Sequence, residues 1–339
     1  MSKLIIVPIE TIESRYTGMW NHIMKPYADI WVYPNISFNT EIKNGEFLDI
    51  NATSLFKSKQ LQFICELFKN NQISNGDIFF IADIFFPGIE TIRYMAELQD
   101  IKVKIYGFNH AGRADSNDFV QKLGKWSDYA EQGYHSICDG IFVGSDYHKS
   151  NITRKFDYNS NNIYPVGALW DIEYTEAIYY NSNLLNIDDT VIWPHRISKE
   201  KGIDDLIYIA SRVNKEFIIT NSTEKINTYS LPDNVKYING LSKKSYYEQF
   251  TRATWYLSTA KQETFGYTIQ EAILFNCNII APLYDNCIKE MVPRKNLYSS
   301  LGEAVDMLNS NNSYTVPYSY TLKYNNNFLK ILDIMGINE

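Results

Sequence analysis

The fold is decided by the stretch STAKQETFGYTIQEAIL, which runs from Ser258 to Leu274. It follows the apolar run Trp255–Leu257 and precedes a second apolar run, Asn278–Pro282. A buried strand, a polar loop, a helix that starts after Gly266 and another buried strand make a parallel βαβ unit. Because the loop reaches its helix through a glycine, backbone N–H groups lie at the positive end of the helix dipole, where an anion such as a diphosphate binds well.

Two carboxylates bracket this anion site. Glu263 lies in the loop before the helix, and Glu271 lies in the first turns of the helix. One carboxylate can stand beside a reacting centre while the other accepts hydrogen bonds from a ribose. Taken alone, the pair is equally well explained as a solvated loop glutamate and a helix glutamate that favours the N-terminal dipole. The interpretation therefore depends on the rest of the chain.

Length and composition indicate a globular α/β protein with room for two domains. The chain has 339 residues, and 45% of them are hydrophobic. A net charge of −7 argues against broad, nonspecific nucleic-acid binding but leaves room for a local basic groove. Four scattered cysteines without Cys-x-x-Cys spacing predict reduced thiols and a cytoplasmic location. The apolar run at the start is too short for a signal or membrane-spanning helix.

Residues 1–168 alternate apolar strands with helical segments and are expected to form one Rossmann-like domain. The predicted strands cover residues 4–8, 28–34, 77–83, 102–108, 140–145 and 162–167. Helical periodicity is found over residues 59–70, 89–98 and 119–132. Residues 168–186 are expected to form a crossing linker.

Polar side chains follow the first strand, at the sheet edge where parallel sheets bind ligands. Glu10, Arg15, Tyr16 and Thr17 are therefore candidate substrate contacts. The start of a capped helix explains any one of them equally well.

A second group of candidates follows the strand at 102–108. His110 stands just past the strand, and Gly112 and Arg113 come directly after it. A histidine in this position can reach a bound sugar, and a structural role explains a single histidine equally well.

A second Rossmann-like domain is expected over residues 187–318, with residues 319–339 as a C-terminal helix that packs back on the body of the protein. Its first strand ends in a polar loop that carries Arg196 and Lys201. Their separation allows both cations to turn toward one anion, and a pair of surface charges is the alternative. A strand that ends at Gly240-Leu241 precedes the loop with Glu263.

These residues together resemble the signature of retaining GT-B glycosyltransferases of the glycogen-synthase-like group. Arg196, Lys201, Glu263, Phe265-Gly266 and Glu271 occur in the family's order and in matching strand–loop–helix settings. The resemblance is firm over residues 190–290. It implies an α/β, GT-B fold, with two doubly wound parallel-sheet domains that face a cleft, and transfer of a hexosyl or pentosyl group from a nucleotide-diphosphate sugar, a UDP-sugar above all.

The resemblance also implies roles for the donor-side residues. Arg196, Lys201 and the Gly266 N–H would stabilise the departing diphosphate. Glu271 would hold the ribose, and Glu263 and His110 would face the sugar. The residues that flank the remaining parts of the donor would be Gly240, Leu241, Phe265 and Tyr267. No Asp-x-Asp cluster lies in an obvious donor loop, so no metal or other cofactor is expected to be required.

The acceptor is less defined, because the first loop lacks the family's usual glycine-rich pattern. Arg15-Tyr16-Thr17 near a tryptophan, with His110-Ala-Gly before an acidic loop, is similar to phage glycosyltransferases that modify hydroxymethylated pyrimidines in DNA. Such an enzyme would act in the host cytoplasm. The alternatives are a polysaccharide, glycan or lipid-linked acceptor, a sugar-nucleotide epimerase, and a non-catalytic sugar-binding protein.

Overall fold

The computed structural model describes residues 2–12, 16–34, 49–116, 118–181, 188–221, 229–326 and 328–337. The chain divides into two compact units. Unit 1 comprises Met1–Trp170 together with Asn326–Glu339, and unit 2 comprises Asp171–Asn325.

The strands and helices alternate along most of the chain. The strands are β1 (Leu4–Val7), β2 (Ile30–Trp31), β3 (Ile78–Ile81), β4 (Lys104–Asn109), β5 (Gly140–Val143), β6 (Ile163–Pro165), β7 (Ala168–Leu169), β8 (Asp188–Trp193), β9 (Glu216–Asn221), β10 (Val235–Asn239), β11 (Ala253–Leu257), β12 (Asn278–Pro282), β13 (Leu297–Tyr298) and β14 (Asn325–Asn326). The helices are α1 (Tyr16–Met24), α2 (Ile50–Lys69), α3 (Ile89–Leu98), α4 (Trp126–Ile137), α5 (Asp146–Phe156), α6 (Ile172–Tyr180), α7 (Ile203–Ala210), α8 (Lys243–Arg252), α9 (Tyr267–Leu274), α10 (Ile288–Met291), α11 (Leu301–Asn309), α12 (Ser319–Tyr324) and α13 (Leu329–Met335).

Each unit is built on a six-stranded parallel sheet. The strand order is β2-β1-β3-β4-β5-β6 in unit 1 and β10-β9-β8-β11-β12-β13 in unit 2. Both are doubly wound orders of nucleotide-binding folds, in which ligands bind at the carboxyl ends of the strands where the order reverses. That switch point lies between β1 and β3 in unit 1 and between β8 and β11 in unit 2.

The strands are short and apolar because helices cover both faces of each sheet. Every residue of β1, β3 and β5 is buried. In unit 1, Ile5, Phe79 and Ile105 form part of one core with side chains of α2 and α3. In unit 2, Trp193 and Leu257 form part of a second core with side chains of α7.

Four segments differ from the sequence prediction. Residues 168–186, expected to form a linker, contain α6, and residues 319–339, expected to form one helix, contain α12 and α13. Two further helices differ in their bounds. The helix predicted over 59–70 begins at Ile50, because the Asp49 carboxylate accepts hydrogen bonds from the N–H groups of Asn51 and Ala52 at 3.1 and 2.9 Å. The helix predicted over 119–132 is broken. A 3-10 turn covers Phe119–Lys122, and α4 begins only after Gly124, a residue that lowers helix stability.

Candidate functional site

The loops after β8 and β11 meet at the switch point of unit 2. Lys201, from the first loop, donates to the Glu263 carboxylate of the second loop, with 2.7 Å between Nζ and Oε1. The same ammonium donates to the Gln262 carbonyl at 3.0 Å. The Lys201 and Glu263 side chains are each only 14% exposed, so their attraction is weakly screened by solvent. The structure therefore brings two predicted site residues into direct contact.

Thr259 holds the Lys201 loop in place. Its hydroxyl donates to the Lys201 carbonyl at 2.7 Å and accepts from the Trp193 indole N–H at 2.9 Å. The next residue, Gly202, has a φ of 72°, and a Cβ there would lie 2.3 Å from the Thr259 carbonyl oxygen. This position requires glycine, because the loop reverses direction against the backbone that follows β11.

Arg196 forms an ion pair within its own loop. Its guanidinium contacts Glu200 Oε1 at 2.7 Å, and its side chain is 44% exposed. Burial opposes ionisation of Glu200, but the charge of Arg196 prevails and lowers the pKa of that carboxyl. Burial, reinforced by Lys201 and Arg196, lowers the pKa of the neighbouring His195 well below its ordinary value. Arg196 and Lys201 thus contact different carboxylates here, and their shared diphosphate remains a prediction.

Helix α9 begins directly after Gly266, which is its N-cap residue. The rings of Phe265 and Tyr267 pack edge to face, 4.9 Å apart, on either side of this glycine. Close contacts from Ile269 and Met291 surround the place where a Cβ of Gly266 would lie. The glycine therefore allows close packing at the start of α9, whose first N–H groups are the anion donors predicted from the sequence.

Glu271 is buried and accepts three side-chain hydrogen bonds from α8. Oε1 accepts from Lys243 Nζ at 3.0 Å and from the Tyr247 hydroxyl at 3.1 Å, and Oε2 accepts from the Tyr246 hydroxyl at 2.6 Å. Burial, with the Glu271 charge, raises the pKa of Tyr247 to about 12 and the pKa of Tyr246 well above its ordinary value. Both phenols therefore remain donors at neutral pH.

The turn after β10 leads straight into this helix. Gly240 has a φ of 70°, in the left-handed region, and no atom of the described residues lies within 4 Å of the place where its Cβ would be. Leu241 is half-buried, and the Ser242 hydroxyl caps α8 by accepting from the Ser245 N–H at 3.1 Å. Gly240 and Leu241 therefore adjoin α8, the helix whose side chains donate to Glu271, and their contact with the donor stays a prediction.

Unit 1 also gathers polar side chains at its switch point. Glu10, which follows β1, is 2% exposed and accepts a hydrogen bond from the Thr53 hydroxyl of α2. Asp83, which follows β3, pairs with Lys57 of α2 at 2.6 Å. Burial raises the pKa of Glu10, whereas for Asp83 the Lys57 charge overcomes burial and lowers the pKa. Glu10 Oε2 is buried without a hydrogen-bond partner among the described residues.

His110 lies beside this group, past the end of β4. Its Nε2 is 2.8 Å from the Ala82 carbonyl oxygen, which can only accept, so Nε2 carries the proton and Nδ1 is the acceptor nitrogen of the neutral ring. Burial lowers the pKa of His110, although the charge of Asp83 acts to raise it. The lowered pKa favours the neutral form of the ring. The rings of Tyr16 and Trp20 lie 5.4 and 4.7 Å from the imidazole.

Other first-loop candidates have structural partners. The Thr17 hydroxyl, in α1, accepts from the Ile12 N–H at 3.1 Å. Trp20 is completely buried, so it offers no stacking surface to a base. Arg15 falls outside the described residues.

Gly112 and Arg113 adjoin a buried carboxylate of α4. The Arg113 N–H donates to Glu131 Oε2 at 2.7 Å, and its guanidinium pairs with Asp128 at 2.9 Å. A Cβ on Gly112 would lie 2.6 Å from Glu131 Oε2. Because Glu131 is fully buried, its pKa is raised to about 7. Both candidate residues thus have a local structural explanation, and their contact with substrate stays a prediction.

Sequence reasoning missed several members of these groups. Lys243, Tyr246 and Tyr247 have the i, i+3 and i+4 spacing of one helical face, which was the available signal for a cluster. Lys57 directly follows Phe56 among the buried residues of α2. A buried lysine requires an acidic partner, and this was the available signal.

No metal site or membrane span is found in the described part of the chain. There, no three or more His, Cys, Asp or Glu side chains are grouped so that they could hold a metal ion. Among the same residues, no helix combines the length and apolar character that a membrane crossing requires.

Comparison with known proteins rests on structure. No family model matches the chain, and no curated protein sequence matches it. The lipopolysaccharide outer core galactosyltransferase WaaB, in its apo form, is 15% identical with a TM-score of 0.62, over 91% of this chain and 89% of WaaB. HepE from Anabaena, in complex with UDP and glucose, is 10% identical with a TM-score of 0.67, over 99% of this chain and 100% of HepE.

A third similar structure is sucrose-phosphate synthase from Thermosynechococcus elongatus. It is 10% identical with a TM-score of 0.63, over 99% of this chain and 95% of the synthase. At such identities the likeness establishes the fold. It confirms the predicted α/β, GT-B fold class, with two parallel-sheet units.

Proposed function

We propose that this protein is a retaining glycosyltransferase that moves a sugar from a UDP-sugar to a hydroxyl acceptor. The observation that carries the proposal is the Lys201–Glu263 contact at the switch point of unit 2. Glu263 lies in the loop that leads to Gly266, the N-cap residue of α9. It is supported by the shared fold with HepE, which was solved with UDP and glucose bound.

The donor half of the mechanism is electrostatic. As the bond between the sugar and the diphosphate breaks, negative charge grows on the phosphate oxygens. Lys201, Arg196 and the first N–H groups of α9 would stabilise that charge, in a loop that is already organised before the donor binds. With these cations in place, no metal is required for the departure of the diphosphate.

The carboxylates have separate roles in this proposal. Glu271 would bind the ribose of the donor from its buried position on α9. Glu263 would face the sugar, and Lys201 would keep its carboxylate oriented through their contact at 2.7 Å. His110 would also contact the sugar.

For the acceptor we propose the hydroxymethyl group of a modified pyrimidine in DNA, with Glu10, Tyr16 and Thr17 near it. The supporting feature is an exposed surface at the start of α4, which we name the α4 surface. It consists of Lys122, Leu123, Lys125, Trp126 and Tyr129. Trp126 and Tyr129 are each 63% exposed, and rings exposed in this way can stack on bases beside lysines that contact phosphates.

Other cations of unit 1 contribute less to such a surface. Arg93 pairs with Asp139 at 2.8 Å, and Asp128 pairs with both Arg113 and Lys155, the latter at 3.3 Å. DNA phosphates would have to compete with these carboxylates. The two lysines of the α4 surface have no ion pair among the described residues, and Lys125 lies 5.9 Å from the ring centre of Tyr129, so they are cationic candidates beside the exposed rings.

One experiment tests donor and acceptor together. The protein is incubated with UDP-sugars and hydroxymethylcytosine DNA, hydroxymethyluracil DNA, simple sugars or lipid-linked glycans, and products are identified by mass spectrometry. The anomeric configuration of the product is read by NMR. Transfer with inversion contradicts the retaining mechanism. Transfer to glycans or lipid-linked sugars alone removes DNA as the acceptor.

The α4 surface has its own test and a matched control. Trp126→Ala and Lys125→Glu should raise the KM for DNA and leave the hydrolysis of UDP-sugar unchanged. The KM for DNA should also rise steeply between about 50 and 200 mM salt, because phosphate contacts release counterions. Lys244→Glu, on an exposed lysine of unit 2, is the control. A KM for DNA that is flat over this salt range contradicts the DNA proposal.

A further inference from the structure

Glu271, the residue predicted to bind ribose, already accepts hydrogen bonds from protein side chains. A carboxylate has about four acceptor positions. Among the described residues, three protein donors reach Glu271: Lys243, Tyr246 and Tyr247. A ribose brings two adjacent hydroxyl donors, whereas one acceptor position remains. One protein donor therefore has to leave before the diol can bind with both hydroxyls.

The three donors differ in how easily they can leave. Tyr247 is 1% exposed, and its hydroxyl also accepts from Thr175 at 3.3 Å. Tyr246 makes the short 2.6 Å bond to Oε2, and its ring packs edge to face on Phe250 at 5.2 Å. Both phenols are thus fixed by packing.

Lys243 is the most exposed of the three donors. Its side chain is 45% exposed, and its ammonium lies 4.8 and 4.4 Å from the ring centres of Tyr246 and Tyr247. Its long stem allows the ammonium to move into water, where its charge is well solvated. Although burial acts against the charged form, Glu271 raises the pKa of Lys243, so the lysine is present as a cation at neutral pH.

We propose that Lys243 gates the donor site by competing with the ribose hydroxyls for Glu271. This inference rests on the proposed function, since it assumes that a ribose binds at Glu271. In the absence of donor, Lys243 neutralises the buried carboxylate. When the donor binds, the diol replaces the ammonium while Tyr246 and Tyr247 keep Glu271 oriented. The lysine thereby sets how strongly the site selects a nucleotide with both ribose hydroxyls.

The test measures the binding of UDP and of 2′,3′-dideoxy-UDP by titration calorimetry, without a sugar or an acceptor. Lys243→Met keeps the stem and removes the charge. It should tighten UDP binding by about two- to fivefold, the value of an ion pair with one exposed partner, and leave dideoxy-UDP unchanged. Lys243→Arg should bind UDP as the wild type does. Lys244→Met is the matched control, because Lys244 is an exposed neighbour whose nearest carboxylate, Glu248, is 4.0 Å away.

The outcomes separate the inference from the proposed function. If Lys243→Met weakens UDP binding, or tightens both nucleotides equally, the gate is wrong. If the wild type binds UDP and Glu271→Gln binds it equally well, the ribose is elsewhere and the gate is wrong, while a UDP-dependent function stands. If the wild type binds no uridine or other nucleoside diphosphate, the proposed function itself fails. Thermal unfolding of each variant shows whether it is folded.

Discussion

Replacement of Lys201 should destabilise unit 2 by stranding a carboxylate. Removing one partner of a fully buried ion pair costs about 3–5 kcal/mol. Lys201 and Glu263 are each 14% exposed, and solvent reaches them in part, so we expect about 2–3 kcal/mol for Lys201→Met. Glu263→Gln should cost less, about 1 kcal/mol, because the ammonium keeps the Gln262 carbonyl and an amide oxygen.

A double-mutant cycle isolates the contact between the two side chains. In Lys201→Met with Glu263→Gln neither charge is stranded, so the double variant should be more stable than the sum of the single losses predicts, by about 1–2 kcal/mol. Calorimetry in the absence of donor is the measurement. A loss of about 2–3 kcal/mol in a unit of this size lowers Tm by about 4–12 °C. Single effects that add to within about 0.5 kcal/mol would refute the direct interaction.

Kinetics of the same variants test the catalytic roles. Lys201→Met should lower kcat/KM, because a charge-assisted contact to the departing diphosphate is lost. The loss should correspond to about 2–4 kcal/mol of transition-state stabilisation. Glu263→Gln should lower kcat more than it changes the KM for the donor. Wild-type kcat/KM in Lys201→Met at saturating acceptor would show that the diphosphate binds elsewhere.

Gly202→Ala should lower both the Tm of unit 2 and kcat/KM for the donor, because a Cβ would lie 2.3 Å from the Thr259 carbonyl oxygen. Calorimetry and steady-state kinetics measure the two effects, and an unchanged Tm would contradict the predicted strain. Glu131 has a pKa of about 7 in the folded protein, above its ordinary value, so its contribution to stability is present at low pH and lost as the pH rises through 7. The stability of wild type minus that of Glu131→Gln should therefore rise by about 2–3 kcal/mol between pH 7.5 and pH 5, as measured by denaturation at each pH; a constant difference contradicts the raised pKa. Activity should persist in EDTA, and a loss that a divalent ion restores would contradict the metal-free mechanism.

The sequence by itself determined the local architecture. Apolar runs separated by polar loops predicted most of the strands and the βαβ unit around Gly266, because the side-chain periods of strands and helices are local properties. The order of Arg196, Glu263 and Glu271 along those loops indicated the fold class. Helix ends were less well predicted, since the start of α2 depends on the cap by Asp49.

Only the tertiary structure decided which side chains meet. Lys201 and Glu263 are 62 residues apart in sequence, and their contact depends on β8 and β11 lying side by side. Lys243 and Glu271 meet because side chains of α8 reach the carboxylate on α9, which no local pattern specifies. A charged side chain takes the partner that compensates its loss of water most fully, and this competition is settled by distances in the folded protein.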